Sequence, residues 1–135
     1  MSPQAVCVPP MLIDQFLPLA RPFVSTATAR CGDWREAEIV DGLRDGRMLL
    51  WFAIEHGRVL ATAVTQLVAS PATGRVCSIV LCGGRDVRRW AHLKDAIEVY
   101  ARDESCTRVR MSGRPGWARL FRDYRQPYVT LEKML

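Results

Sequence analysis

The chain has 135 residues, 49% hydrophobic and 24% charged. This balance excludes a disordered tail or a fibrous protein and fits one domain spanning 1–135. Five cysteines without a C-x-x-C pair and two histidines without ligand spacing point to no metal site and no disulfide framework. No apolar run is long enough to cross a bilayer, and the start lacks the basic flank of a secretory signal. The expectation is a soluble protein of a reducing compartment, not exported by a signal peptide and not bound to membrane.

The net charge is +5, and all but Lys94 and Lys133 of the 19 basic residues are arginine. Arginine forks onto phosphates and carboxylates, which suits an anionic ligand or an acidic partner. Codon bias in a GC-rich genome gives the same excess with no function attached. The arginines are scattered among Asp and Glu, with no aromatic–basic interleaving and no helix-turn-helix signature, so direct reading of nucleic acid is not expected.

Val6–Val8 reads as a short first strand stopped by Pro9-Pro10. Met11, Leu12, Phe16, Leu19 and Ala20 then recur at helical spacing, and Pro22 ends that helix because the residue before a proline avoids the α region. Asp33 is an N-cap candidate with Glu36 three residues on, opening a helix whose stripe is Trp34, Ala37, Val40 and Leu43 and which stops by Gly46. Met48–Glu55 is rich in strand formers, His56-Gly57 is a hairpin turn, and Val59–Ala69 is its partner strand. After a turn over Pro71–Gly74, the nearly continuous apolarity of Val76–Leu81 marks a strand buried on both faces.

Past Gly83-Gly84 the period returns to helical, with Val87, Trp90, Leu93, Ile97 and Tyr100 on one face. Thr107–Met111 is a short strand, Arg114-Pro115-Gly116 starts a helix over Trp117–Tyr124, and Tyr128–Leu131 reads as a last strand. The order is β-α-α-β-β-β-α-β-α-β. It predicts an α/β fold with a mixed sheet, a central antiparallel meander and helices on both faces. Parallel strands joined by the late crossover splay where they part, and that gap is the expected place for a ligand.

Two stretches carry a family resemblance. Val76–Val87 (V-C-S-I-V-L-C-G-G-R-D-V) and Val109–Tyr124 (V-R-M-S-G-R-P-G-W-A-R-L-F-R-D-Y), set in this element order, resemble the cofactor strand-loop-helix and the late strand-helix of the GNAT superfamily of acyl-CoA-dependent N-acyltransferases. The ending G-R-P-G-W-A-R-L-F followed by L-E-K-M-L is similar to small GNAT-like proteins of tailed bacteriophages and prophages. The family's phosphate loop, Q/R-x-x-G-x-G/A at a helix N-terminus, turns backbone N–H groups and the helix dipole onto the CoA pyrophosphate. The resemblance therefore implies Gly83, Gly84, Arg85 and Arg88 as the cofactor-binding residues and, in an active enzyme, acetyl-CoA as the cofactor.

The chain departs from that pattern in several places. No glycine follows the Gly83-Gly84 pair, and Asp86 is placed to cap the helix with its own carboxylate, where it would exclude a phosphate. Phe121 matches the position of the late-helix tyrosine that many members use as proton donor, which leaves Tyr124, about one helical turn on, as the donor of an active enzyme. The family's frequent Asn after the late strand is replaced by Gly113 or Arg114. Glu55 and His56 read as turn residues, and Cys77 and Cys82 as buried, inert thiols. No other catalytic residue is assigned.

The resemblance with these departures implies a catalytically inactive structural or binding module of a virion, at the head–tail region or among packaged proteins. Such a module needs no cofactor, sits in the particle or the host cytoplasm, and contacts other virion proteins or a host protein, with an oligomer within the assembly among the possibilities. Two alternatives stand beside it: an acyl-CoA-dependent N-acetyltransferase with a divergent pyrophosphate loop, and a basic host-factor-binding protein.

Overall fold

The computed structural model describes residues 3–31, 33–84, 86, 93–113 and 116–135, with only the backbone of Cys31. Five strands, β1 (Gln4–Val8), β2 (Met48–Glu55), β3 (Arg58–Ser70), β4 (Gly74–Gly84) and β5 (Arg108–Met111), form one sheet in the order 1-2-3-4-5. The first three pairings are antiparallel and β4–β5 is parallel, as a strand joined to its neighbour by a helical crossover must be. His56 (φ 52°) and Gly57 (φ 72°) both lie in the left-handed region. This is the primed two-residue turn whose twist matches a hairpin, here closed by Glu55 opposite Arg58.

The sheet is covered on both faces. Helices α1 (Ile13–Cys31) and α2 (Glu36–Arg44) bury Ile13, Leu17, Val24, Ile39 and Leu43 against Leu50, Phe52, Val64 and Leu81. On the other face α3 (Leu93–Asp103) sets Leu93, Ile97 and Ala101 on Trp51, Ala63, Cys77 and Ile79. Alternation along β2 and β3 assigns these residues to the two layers, whereas on β4 Ile79 and Leu81, two residues apart, fall on opposite faces. The mixed sheet, the meander and the two helical layers agree with the sequence reading.

Several local expectations need correction. Helix α1 runs through Pro18 and Pro22 to Cys31. An interior proline costs about 3 kcal/mol, yet the stripe of Ile13, Leu17, Ala20, Val24 and Ala27 is buried along the whole length, and burial of a valine alone contributes about 1.5–3 kcal/mol. Met11 and Leu12, counted in that helical spacing, lie before α1, and both they and Leu19 are exposed. At α2 the N-cap is Arg35, not Asp33: its N–H donates to the Glu38 carboxylate at 3.1 Å, while Glu36 accepts from Ser25 and Arg21 on α1. Ala37, placed on the stripe, is exposed, and Ile39 is buried instead.

Two further corrections lie at the end of the chain. The late helix α4 spans only Trp117–Leu120, because Phe121 (φ −105°, ψ 69°) leaves helical geometry and a tight turn carries the chain to Tyr124. Tyr128–Leu131 is extended chain with no strand partner among the described residues, since strand-forming side chains make a strand only when a neighbour pairs with them.

Candidate functional site

The geometry of β4 defines the site. Val64 faces Leu81 while Thr65 faces Ile79, so Val80 is an extra residue, a β-bulge. On its other side β4 pairs with β5 only over Val76–Ile79. Beyond Ile79 and Met111 the two strands part, and residues 80–84 keep β3 on one side but have no strand on the other among the described residues. Bulge and splay coincide. The result is a V-shaped gap with a free edge of backbone N–H and C=O groups.

Gly83 and Gly84, expected in a loop, are the last residues of β4, opposite Thr62 and Ala61. A Cβ on Gly83 would point toward α1, 3.5 Å from the Phe23 carbonyl oxygen and 3.9 Å from the Ala27 Cβ. Asp86 is exposed; the helix start it was expected to cap, and the side chains of Arg85 and Arg88, lie outside the described residues. An open cleft borders the gap, with Phe23 and Ala27 of α1, Val80 and Gly83 of β4, Ser112 and Trp117 in its wall.

On the α3 side the gap is filled. Cys82, Leu93, Ile97, Met111, Trp117 and Phe121 surround a recess with almost no free space. Trp117 lies flat against Gly113, where an added Cβ would meet the indole at 2.9 Å. Phe121 is 3% exposed and meets Trp117 edge-on with ring centres 6.0 Å apart. Burial pushes the Cys82 thiol up to about 12, and burial together with Cys106 does the same to Cys77. Shifts of this direction leave little thiolate at neutral pH; Cys77 is buried, as read from the sequence, whereas Cys82 is half-buried.

Tyr124 belongs to a polar cluster that the sequence reading did not foresee. Its hydroxyl donates to the Glu98 carboxylate at 2.6 Å, and the Lys94 ammonium sits 3.4 Å from Glu98, 3.1 Å from Asp123 and 3.3 Å from Asp95. Burial, then the bond to Glu98, raises the Tyr124 phenol well above its ordinary range. Burial works against the Lys94 charge, but hydrogen bonds to Asp123 and Asp95 prevail and raise it; the Lys94 bond holds Asp123 low. The i,i+4 spacing of Lys94 and Glu98 was visible in the sequence, whereas Tyr124, 26 residues away from Glu98, carried no signal for its partner. Glu55 and His56 stand together at the β2–β3 turn, Oε1 to Nε2 at 3.7 Å.

No family model matches the chain, and no curated protein matches it. Solved structures do. A probable acetyltransferase aligns with 18% identity and a TM-score of 0.69, covering 98% of this chain and 97% of that one. A GNAT family acetyltransferase of Staphylococcus aureus aligns at 11% identity and 0.68 over the full length of both. A predicted acetyltransferase of Clostridium acetobutylicum, solved with acetyl-CoA, aligns at 14% and 0.64, covering 96% and 95%. The chain has the fold of the GNAT acetyltransferases.

Proposed function

We propose that the protein is an acyl-CoA-dependent N-acyltransferase, the alternative reading of the sequence, rather than an inactive module. The observation that carries this is the free edge of β4 past the Val80 bulge, beside an open cleft. An exposed strand edge binds an extended amide chain through main-chain hydrogen bonds, and the pantetheine arm of CoA carries two amides in such a chain. Acetyl-CoA supplies an acyl group already activated as a thioester.

The residues of the chain then take the following roles. Backbone groups of 80–84 hold and orient the pantetheine arm. Gly83 and Gly84 lead the chain without side-chain bulk toward Arg85 and Arg88, which take the pyrophosphate charge. Phe121, Trp117 and Leu93 exclude water from the α3 side of β4. Tyr124 keeps its proton through the neutral range and donates it in a hydrogen bond to Glu98, so it serves as proton donor to a leaving thiolate only after parting from Glu98.

A second reading, a non-catalytic binding module of a bacteriophage particle or a host-protein binder, draws on Phe121. This residue is buried and has no hydroxyl at the place the family's donor occupies. One assay separates the two. Thiol release from acetyl-CoA that depends on an added amine, and that is abolished by Gly84→Asp in a folded protein, supports the enzyme. No release with any amine and no heat of acetyl-CoA binding at near-millimolar cofactor overturns it.

A further inference from the structure

On the face of the sheet that α1 packs on, the apolar cover stops short. Val64 and Leu81 are buried there, but farther back β3 carries Gln66, β4 Ser78, and β5 both Arg108 and Arg110. Gln66 pairs with Ser78 and Ser78 with Arg110, so these three form one row across the sheet, with Arg108 one step behind. Their sequence neighbours Cys77, Ile79, Val109 and Met111 belong to the α3 layer, which turns the row to the α1 side. All of these polar residues border the open cleft.

Their side-chain donors are unused. Gln66, Ser78 and Arg108 make no side-chain hydrogen bond, ion pair or ring contact among the described residues, and Arg110 meets only the Tyr128 ring, at 5.9 Å. A ring takes the face of a guanidinium and leaves the N–H groups in its plane. Arg108 and Arg110 stand two residues apart on one strand, roughly 7 Å, so their like charges repel. An anion held between the two guanidinium groups, with the Ser78 hydroxyl and the Gln66 amide donating beside them, satisfies all of these donors at once.

We propose that this trough seats an anionic group, a carboxylate or a phosphate, carried by the amine that accepts the acyl group; the inference rests on the acyltransferase reading above. The gap past Val80 is filled on the α3 side by Leu93, Trp117 and Phe121, so the acceptor comes to it from the α1 face. Ser78 stands two residues before Val80, so the anion lies roughly 7 Å from the start of the free edge on which the cofactor arm is placed. The acceptor is therefore a primary amine separated from its anionic group by an extended chain of about four carbons. In the transfer the neutral amine nitrogen bonds the acyl carbon, the C–S bond breaks, and the proton the nitrogen sheds ends on the thiolate.

Two measurements test this, one of them without catalysis. In the first, thiol release from acetyl-CoA is followed with 5-aminopentanoate, 3-aminopropyl phosphate, pentylamine and 1,5-diaminopentane. At least one anionic amine is expected to exceed pentylamine in kcat/KM about tenfold or more, and the diamine to fall below it. The better of the two anionic amines identifies the group. In a folded Arg108→Gln/Arg110→Gln double variant the preference is expected to fall to about one, whereas Arg110→Lys keeps part of it. Pentylamine or the diamine turned over as well as the anionic amines overturns the inference and leaves the enzyme standing. In the second, arginine side-chain Nε–H resonances of the cofactor-free protein are titrated with pentanoate and with propyl phosphate. Those of Arg108 and Arg110 are expected to shift saturably, and more than those of exposed arginines outside the cleft. Saturable shifts in a protein that acylates no amine support the anion site while the acyltransferase reading fails. No saturable shift at either arginine by about 50 mM ligand overturns the site, whatever the activity.

Discussion

Substituting Gly113 by alanine probes how the wall of the cleft is held. The new Cβ would lie 2.9, 3.0 and 3.3 Å from three ring atoms of Trp117. The indole cannot swing aside freely, since Phe121 stands edge-on to it and the recess around Met111 and Cys82 is full. Overpacking of this kind costs about 1–3 kcal/mol. Loss of glycine's freedom in the unfolded chain offsets about 0.4–1 kcal/mol of that. The net expectation is a loss of roughly 1–2 kcal/mol, about a tenfold shift toward the unfolded state. Gly83→Ala is the control: its Cβ finds ordinary van der Waals contact, so that variant gains about 0.4–1 kcal/mol. Urea denaturation followed by tryptophan fluorescence gives both numbers. A Gly113→Ala protein as stable as wild type would refute the packing of Trp117 on the chain after β5.

Three further outcomes follow from named contacts. The Thr62 hydroxyl is fully buried with no hydrogen-bond partner among the described residues, so Thr62→Val, nearly the same shape, should raise the urea midpoint by the equivalent of about 1 kcal/mol; a lower midpoint contradicts the orphan assignment. Tyr124→Phe should lose about 1 kcal/mol, a charged-acceptor bond discounted for partial exposure. Because the folded Tyr124 phenol titrates above the unfolded one, the bond contributes in full below about pH 10 and fades as pH rises past it. The wild-type advantage over Tyr124→Phe should therefore shrink in alkaline denaturation series, and a constant gap would count against it. Cys77 and Cys82, with thiols near 12, should resist iodoacetamide at pH 8 in the native protein and react on unfolding; rapid native labelling of either would show that the layer under α3 is open.

Much of this architecture is written in local patterns. The His56-Gly57 turn, the apolar run of Val76–Leu81 and the crossover before β5 each follow from short-range chemistry, and together they define the sheet. Where long-range packing decides, local reading misled. Pro22 signals a helix end, but Val24 and Ala27 have a sheet to pack on, and α1 continues. Tyr128–Leu131 has strand propensity but pairs with no strand among the described residues.

The site was legible in outline only. Gly83 and Gly84, read as cofactor-binding residues, end β4 beside the gap, but the Val80 bulge depends on β3–β4 register, which no residue type at Val80 announces. The Tyr124–Glu98 bond likewise joins elements that meet only after folding.

Hydrogen exchange with and without acetyl-CoA reads the central claim most directly, because the cofactor is proposed to lie along the β4 edge itself. Amides within residues 80–84 that exchange freely in the protein alone should slow on adding acetyl-CoA, while those of Val76–Ile79, already paired with β5, should not change. Unaltered exchange across 80–84 at saturating cofactor would contradict the account.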